Sequence, residues 1–289
     1  MERATITQTD VLDIDRDEFA RAFARRSILV HHSLSDHPLL SIEAIAELAD
    51  RLPARSVRRE AGNLAIGTSR GYAEVGHGRP SQSILNIEEH RNRISLRDVQ
   101  QVPEYRNLVE ECLGQVAPLV EGREGGMSRK TGYIFISCSN STTPMHFDAE
   151  HSFLLQVRGT KHVSVAAFED RPRVLAREID LYVDGRTCDF AAMEAASERF
   201  TIERGTGVYL PSYIPHWVET EGGVSISFSI PWYTDYCHRA EGVYRVNSWL
   251  RRARLHPRRP GASHTADVVK SAAFQSMLKA RDITRKLRS

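Results

Sequence analysis

Between residues 131 and 230 the chain passes through "TGYIFISCS", "SFLLQVRG", "KHVSVAAF", "GVYLP" and "VSISFSI", short runs of β-branched and aromatic residues with Gly or Pro at their bends. Successive side chains on a strand point to opposite faces. Tyr133, Phe135 and Ser137 therefore share one face, as do Ser225, Ser227 and Ser229. Short strands punctuated in this way predict a sandwich or barrel, and small polar residues turned inward would leave it an internal volume.

The period becomes helical on either side. "RDEFARAFARR" (16–26) with Asp15 as cap, "SIEAIAELADRLP" (41–53) opened by Ser41 and stopped by Pro53, and "PEYRNLVEECLGQVAPLV" (103–120) predict helices. A Gly-containing loop is expected around 62–80. After Tyr233, "HRAEGVYRVNSWLRRA" and "TADVVKSAAFQSMLKARDITRKLR" read as two more helices, with Pro257 and Pro260 between them. The expected division is a helical or mixed region at 1–120 packed on the barrel, a β core at 121–235 and a C-terminal helical extension at 236–289.

The net charge of the 289 residues is only +2, but it is unevenly placed. Twelve Lys and Arg against Asp267 and Asp282 lie between Arg245 and Ser289, leaving an acidic body and a basic tail. The tail reads as a solvated face or a docking surface for an anionic partner. Cys112, Cys138, Cys188 and Cys237 are scattered with no CxxC, as in a reduced cytoplasmic protein. The N-terminus "MERATITQTDVLDID" has no apolar h-region, and no run of about 18 apolar residues suggests a membrane span.

The chemistry concentrates in "TPMHFDAEHSFLLQVRGTKHV" (143–163). His146 and Asp148 are two apart, so a strand sets imidazole and carboxylate side by side. His151 and His162 alternate away from them and read as packing or surface residues. His216 follows "GVYLPSYIP" and precedes "WVETEGGVSISFSI", read as a hairpin turning at Gly222-Gly223 that lies beside the His146 strand. His146, Asp148 and His216 would form a two-histidine, one-carboxylate triad, the donor set of non-haem Fe(II). Structural zinc favours four ligands and usually thiolates.

These motifs resemble the jumonji-C/cupin-like Fe(II)- and 2-oxoglutarate-dependent oxygenases, most closely the branch of the asparaginyl hydroxylase acting on hypoxia-inducible factor and bacterial cupin-like proteins. "TPMHFD", "QVRGTKHV", "VYLPSYIPHWVET" and "GGVSISFSIPWY" carry the resemblance, clearest from about 130 to 233. It implies a mainly β fold, a double-stranded β-helix (jelly roll) with N-terminal helices and a C-terminal helical extension. It implies Fe(II), 2-oxoglutarate as cosubstrate and O2, with succinate and CO2 released as an unactivated C–H bond is hydroxylated. Lys161 would bind the distal carboxylate of 2-oxoglutarate, since Ile226 occupies the position where other oxygenases place an Arg. Thr143 would donate a hydroxyl to the same group. Tyr133, Ser152 and Ser229 complete the expected cosubstrate contacts. The branch often has Asn where this chain has Ser152 and Ser229.

Trp217, Trp232 and Tyr233 are candidates to line a substrate entrance, with the loop 169–200 bordering its mouth. The expected substrate is a peptide or protein side chain or an amino acid. A small natural-product intermediate, or a non-enzymatic metal or metabolite sensor, is the alternative. No helix-turn-helix or RNA-binding signature points to nucleic acid. The apolar positions Val268, Val269, Ala272, Phe274, Met277, Leu278, Ile283 and Leu287 form a helical face that must be covered, and the resemblance suggests a homodimer through the C-terminal helices.

Overall fold

The computed structural model describes residues 10–62, 64–65, 78–166, 179, 194–195 and 197–286, with side chains up to residue 280. Ten strands form one antiparallel hydrogen-bonded system: β1 (Leu12–Asp13), β2 (Ile28–His32), β3 (Val57–Ala61), β4 (Asn92–Leu96), β5 (Tyr133–Ser137), β6 (Thr142–Phe147), β7 (His151–Ala166), β8 (Ser197–Ile202), β9 (Thr206–Leu210) and β10 (Pro215–Trp232). The long strands β7 and β10 pair along most of their lengths and belong to two layers. Their outer halves join β1-β2-β9-β7-β10-β5-β4-β3. The other halves, residues 161–166 and 215–220, join the smaller layer β8-β7-β10-β6. This is the mainly β jelly-roll arrangement that the family resemblance implies.

The crossover between layers requires two glycines. Gly159 has φ +74°, and a Cβ there would stand 2.8 Å from the Val224 carbonyl oxygen. Gly222 has φ +68°. The predicted hairpin at Gly222-Gly223 is not formed. The β10 segments on both sides pair with β7, with register shifts between Glu221 and Ser227, so the glycines make a bulge at which one strand bends.

Alternation sorts the residues cleanly. Phe153, Leu155, Ile226, Phe228, Ile134 and Ile94 turn outward into the main apolar core. Leu154, Val163, Val165, Phe200, Val208 and Val218 form a second cluster between the layers. Ser225, Ser227 and Ser229 have the inward parity and are buried. The polar face of the strand pattern therefore lies inside the roll.

The main core is roofed by α1 (Arg16–Ala22), α2 (Ile42–Arg51), α5 (Pro103–Gly114) and α6 (Ala117–Glu124), with α3 (Pro80–Leu85) and α4 (Ile87–His90) short. Asp15 accepts from the amides of Asp17 and Glu18, and Ser41 from that of Ala44, so both expected caps form. The predicted helix 103–120 is two helices. Among its described residues the N-terminal region also supplies four strands, where the sequence predicts mostly helices. Those strands are two to five residues long and β3, "VRREA", is largely charged, so neither propensity nor a clean period marked them.

At the other end, α7 (Asp235–Arg252) and α8 (His264–Lys286) pack on each other. Phe274 is buried, with its ring 6.0 Å from that of Trp249, and Gly242 lets the Ser271 backbone approach. The chain's own α7 thus covers part of the expected apolar face, while Val268 and Val269 stay exposed. Among the described residues no helix is long and apolar enough to cross a membrane. Cys188 and most of the loop 169–200 lie outside them; the end of that loop, Ser197–Ile202, is β8.

Candidate metal centre

His146 and His216 are directly opposed in the β6–β10 register, and their ring centroids are 4.1 Å apart. Asp148 follows the end of β6, its carbonyl oxygen accepting from the Tyr213 amide. Its Oδ2 lies 3.5 Å from His146 Nε2 and 3.7 Å from His216 Nε2. One ligand atom from each of the three converges within 4.8 Å of the others. The second nitrogens face backbone carbonyls: His146 Nδ1 is 2.8 Å from the Pro144 oxygen, and His216 Nδ1 is 3.0 Å from that of Ile214. Such contacts make Nδ1 the donor and leave the Nε2 lone pair for an electrophile.

The family model of the cupin-like domain matches residues 82–238, more than half of the chain and all of the strands that carry these side chains. The chain belongs to the cupin-like domain family. Among solved structures it is similar to YcfD of Escherichia coli, at 13% identity and a TM-score of 0.50 over 92% of this chain and 68% of that one. It is likewise similar to YcfD described as a ribosomal oxygenase in complex with cobalt and 2-oxoglutarate, at 12% identity and a TM-score of 0.51 over 92% and 67%. At such identity the likeness is one of fold. A search of curated protein sequences gives no match.

In this cupin-like chain, burial and the neighbouring His146 lower the pKa of His216 to about 4, which keeps a neutral imidazole. For His146, burial opposes the charged form but Asp148 outweighs it, and the pKa is raised. Two imidazoles and a carboxylate, with no thiol among them, fit a divalent first-row ion such as Fe(II) by donor chemistry.

A bulge brings Thr143 to the same face. His216 opposes His146 while Val218 opposes Thr143, so two steps on β10 match three on β6. Lys161 is inward-facing and 3% exposed. Its Nζ donates to Ser227 Oγ at 2.7 Å and lies 6.0 Å from the Phe135 ring centre. Burial first, and then the Arg93 guanidinium, lower its pKa to about 7. Among the described residues no carboxylate forms an ion pair with it. Ser152 and Ser229 bond to each other at 3.0 Å, and Tyr133 stands opposite Ser229 on β5.

The aromatic candidates separate. Trp232 is fully buried on the outer face against Phe153, Tyr209 and His151, so it is core rather than entrance. Trp217 is buried with Met145, Phe147, Tyr213 and Tyr244, the last on α7, and also lines no mouth. Both sit on the outward parity of β10, which the apolar pattern alone could not tell from an entrance. Tyr233 is half-buried, carries Arg129 over its ring at 4.9 Å and bonds to Glu150, two residues past Asp148.

His162 is a surface residue paired with Glu221 at 2.8 Å. His151 does more than fill space. With Glu124 and Cys237 it forms a second convergent group beneath the outer helices, in which His151 and Cys237 are fully buried and Glu124 is partly so. Glu60 and Arg93 carry no motif in the sequence, and Gln156 enters it only as the first residue of "QVRGTKHV". The inward parity of "NRISL" beside a serine-lined strand was the available signal for Arg93.

Proposed function

We propose that the chain is an Fe(II)- and 2-oxoglutarate-dependent hydroxylase. The observation that carries this reading is the pairing of two features inside one roll: the convergent His146–Asp148–His216 donors, and a buried Lys161 with no carboxylate partner among the described residues. A buried ammonium calls for a counter-charge, and a dicarboxylate cosubstrate supplies it.

His146, Asp148 and His216 would hold the metal. When bound, Fe(II) supplies the oxidative chemistry, in which O2 and 2-oxoglutarate give succinate, CO2 and a hydroxylated C–H bond. The chain's own residues do the positioning. The carbonyls of Pro144 and Ile214 fix both imidazole rings through Nδ1. Lys161 and Thr143 would take the distal carboxylate of the cosubstrate, with Tyr133, Ser152 and Ser229 along the same inner wall. The apolar layer of Val163, Val165 and Val218 keeps that wall dry, which strengthens each charged contact.

A peptide or protein side chain is the substrate class we favour, supported by YcfD's description as a ribosomal oxygenase. Tyr233, bonded to Glu150 two residues past Asp148, and Arg129 over its ring offer a ring and a cation on that side. The test is anaerobic addition of Fe(II) and 2-oxoglutarate, which should give a weak visible metal-to-ligand band, followed by succinate release on admitting O2. A protein that binds Fe(II) but shows neither would be a metal sensor, and the hydroxylase reading would fall.

A further inference from the structure

The polar inner row continues past β5. Ser225 pairs with Ser137, Ser137 with Arg93, and Arg93 with Glu60 on β3. Arg93 Nη2 and Glu60 Oε2 are 2.5 Å apart, and their side chains are 7% and 12% exposed. A buried ion pair of this kind is often no more stabilising than apolar residues of the same size. Its other contacts suggest what it does. Arg93 Nη1 donates to Thr143 Oγ1 at 2.6 Å and to the Thr142 carbonyl oxygen at 3.2 Å.

A guanidinium has donors and no acceptor. In its bond with Arg93, Thr143 Oγ1 must therefore accept, so the hydroxyl's own hydrogen is available for another acceptor. The opposite wall has the same polarity. Lys161 donates to Ser227 Oγ, whose hydrogen goes to Gln156 Oε1 at 2.6 Å. The Gln156 amide donates in turn to the carbonyl oxygens of Arg158 and Gly159 and to Ser225 Oγ. Each chain of bonds starts at a cation that can only donate, and each leaves a hydrogen for the site, one on Lys161 Nζ and one on the Thr143 hydroxyl. Because Glu60 offsets the charge of Arg93, the uncompensated charge is that of Lys161, which matches a single carboxylate.

We propose that Glu60 and Arg93 are positioning residues that fix the Thr143 hydroxyl as a donor, and so make this wall selective for a carboxylate over its amide. This rests on the 2-oxoglutarate reading of the site. Glu60 lies outside the segment matched by the family model, so the device joins the N-terminal strands to the cupin-like core.

The test is anaerobic calorimetry with Mn(II) in place of Fe(II), titrating 2-oxoglutarate and then 2-oxoglutaramate, which carries an amide at the distal end. Wild type should bind the dicarboxylate and discriminate against the amide. Thr143→Val, and the pair Glu60→Leu with Arg93→Met, should each weaken 2-oxoglutarate by roughly ten- to a hundredfold, the worth of one charge-assisted hydrogen bond. Each should also erase most of the preference over the amide. The triple variant should be no worse than either, because both remove the same contact. Thr143→Ser should retain wild-type affinity, and Mn(II) binding should be unchanged throughout. If the apolar pair unfolds the chain, Glu60→Gln with Arg93→Gln replaces it, since two facing amides can bond without charge. Wild-type affinity in the folded pair variant, or losses that multiply in the triple, would overturn the proposal while leaving the oxygenase reading standing. Failure of wild type to bind 2-oxoglutarate would overturn both.

Discussion

The two histidine clusters contain similar residues and differ in what surrounds them. Inside the roll, Asp148 stands 3.5 and 3.7 Å from two Nε2 atoms, long for hydrogen bonds. Beneath the outer helices, His151 Nε2 is 2.9 Å from Glu124, its Nδ1 is 2.8 Å from the Tyr209 hydroxyl, and Thr234 donates to Glu124 at 2.8 Å. The inner imidazoles turn Nδ1 to backbone carbonyls and Nε2 toward Asp148 at these longer distances, whereas the outer imidazole bonds to protein partners through both nitrogens. Buried cations differ in the same sense. His151 has its carboxylate, and although burial works against the charge, bonds to Cys237 and Glu124 raise its pKa to about 9. Lys161 has none among the described residues, and burial lowers its pKa to about 7. Convergence of ligand-type atoms does not by itself distinguish a binding site from a structural tie; the state of their hydrogen bonding does.

The most severe way to break this contrast is to remove a ligand from each cluster. His146→Ala, Asp148→Ala or His216→Ala should abolish Fe(II) or Mn(II) binding at micromolar metal and all succinate formation, while Cys237→Ser leaves both intact. Metal content measured after dialysis checks this, and loss of metal in the Cys237 variant would exchange the roles of the two groups.

Lys161→Ala should spare the metal but raise the 2-oxoglutarate requirement by roughly two to four decades, the scale of a buried pair cut on one side at about 3–5 kcal/mol. An unchanged titration curve would place the carboxylate elsewhere.

Glu124→Gln should act on stability alone, by about 3 kcal/mol at neutral pH, because it strips a buried imidazolium of its anion. The folded pKa of His151 is raised, so this contribution is complete below about pH 6.5 and lost as pH climbs through about 9. Denaturant melts of wild type and variant should therefore converge at alkaline pH; a constant gap would mean that His151 is neutral.

The smallest effect concerns Lys161 and pH. A carboxylate ligand needs the lysine protonated, and in the ligand-free protein half of that charge is gone by about pH 7. Affinity for 2-oxoglutarate should weaken by up to about tenfold per unit above pH 7, with proton uptake visible as a buffer-dependent heat. A flat profile between pH 6.5 and 8.5 would show that Lys161 stays charged without its partner.

Much of this was legible in the sequence because strand parity is a strict rule. The two-residue spacing of His146 and Asp148 and the shared face of Ser225, Ser227 and Ser229 follow from a period of two, whereas the facing of His216 to His146 rests on the β6–β10 register, which the sequence reaches only through a hairpin that does not form. Asp15 and Ser41 announced their helices by cap chemistry. What the sequence concealed depends on tertiary context. Trp217 and Trp232 are aromatic whichever face they take, and only the filled outer cores show that they line no entrance. Gly222-Gly223 has the composition of a turn, and only pairing of both flanks with β7 makes it a bulge. Glu60 and Arg93 are 33 residues apart, and nothing local in "VRREA" announces a partner on β4.

The position of β9 has a consequence for biosynthesis. β2 has its neighbour on one side only in β1, and its other edge is satisfied by residues 206–209. A nascent chain emerging at roughly 5–20 residues per second must hold that edge open for about ten to forty seconds before its mate is made. Through this interval the apolar alternate positions Ile28 and Val30, buried in the finished fold, are exposed on an unpaired strand, the kind of surface that holdase chaperones bind. Completion of the sheet is therefore a late event that waits on the second half of the polypeptide.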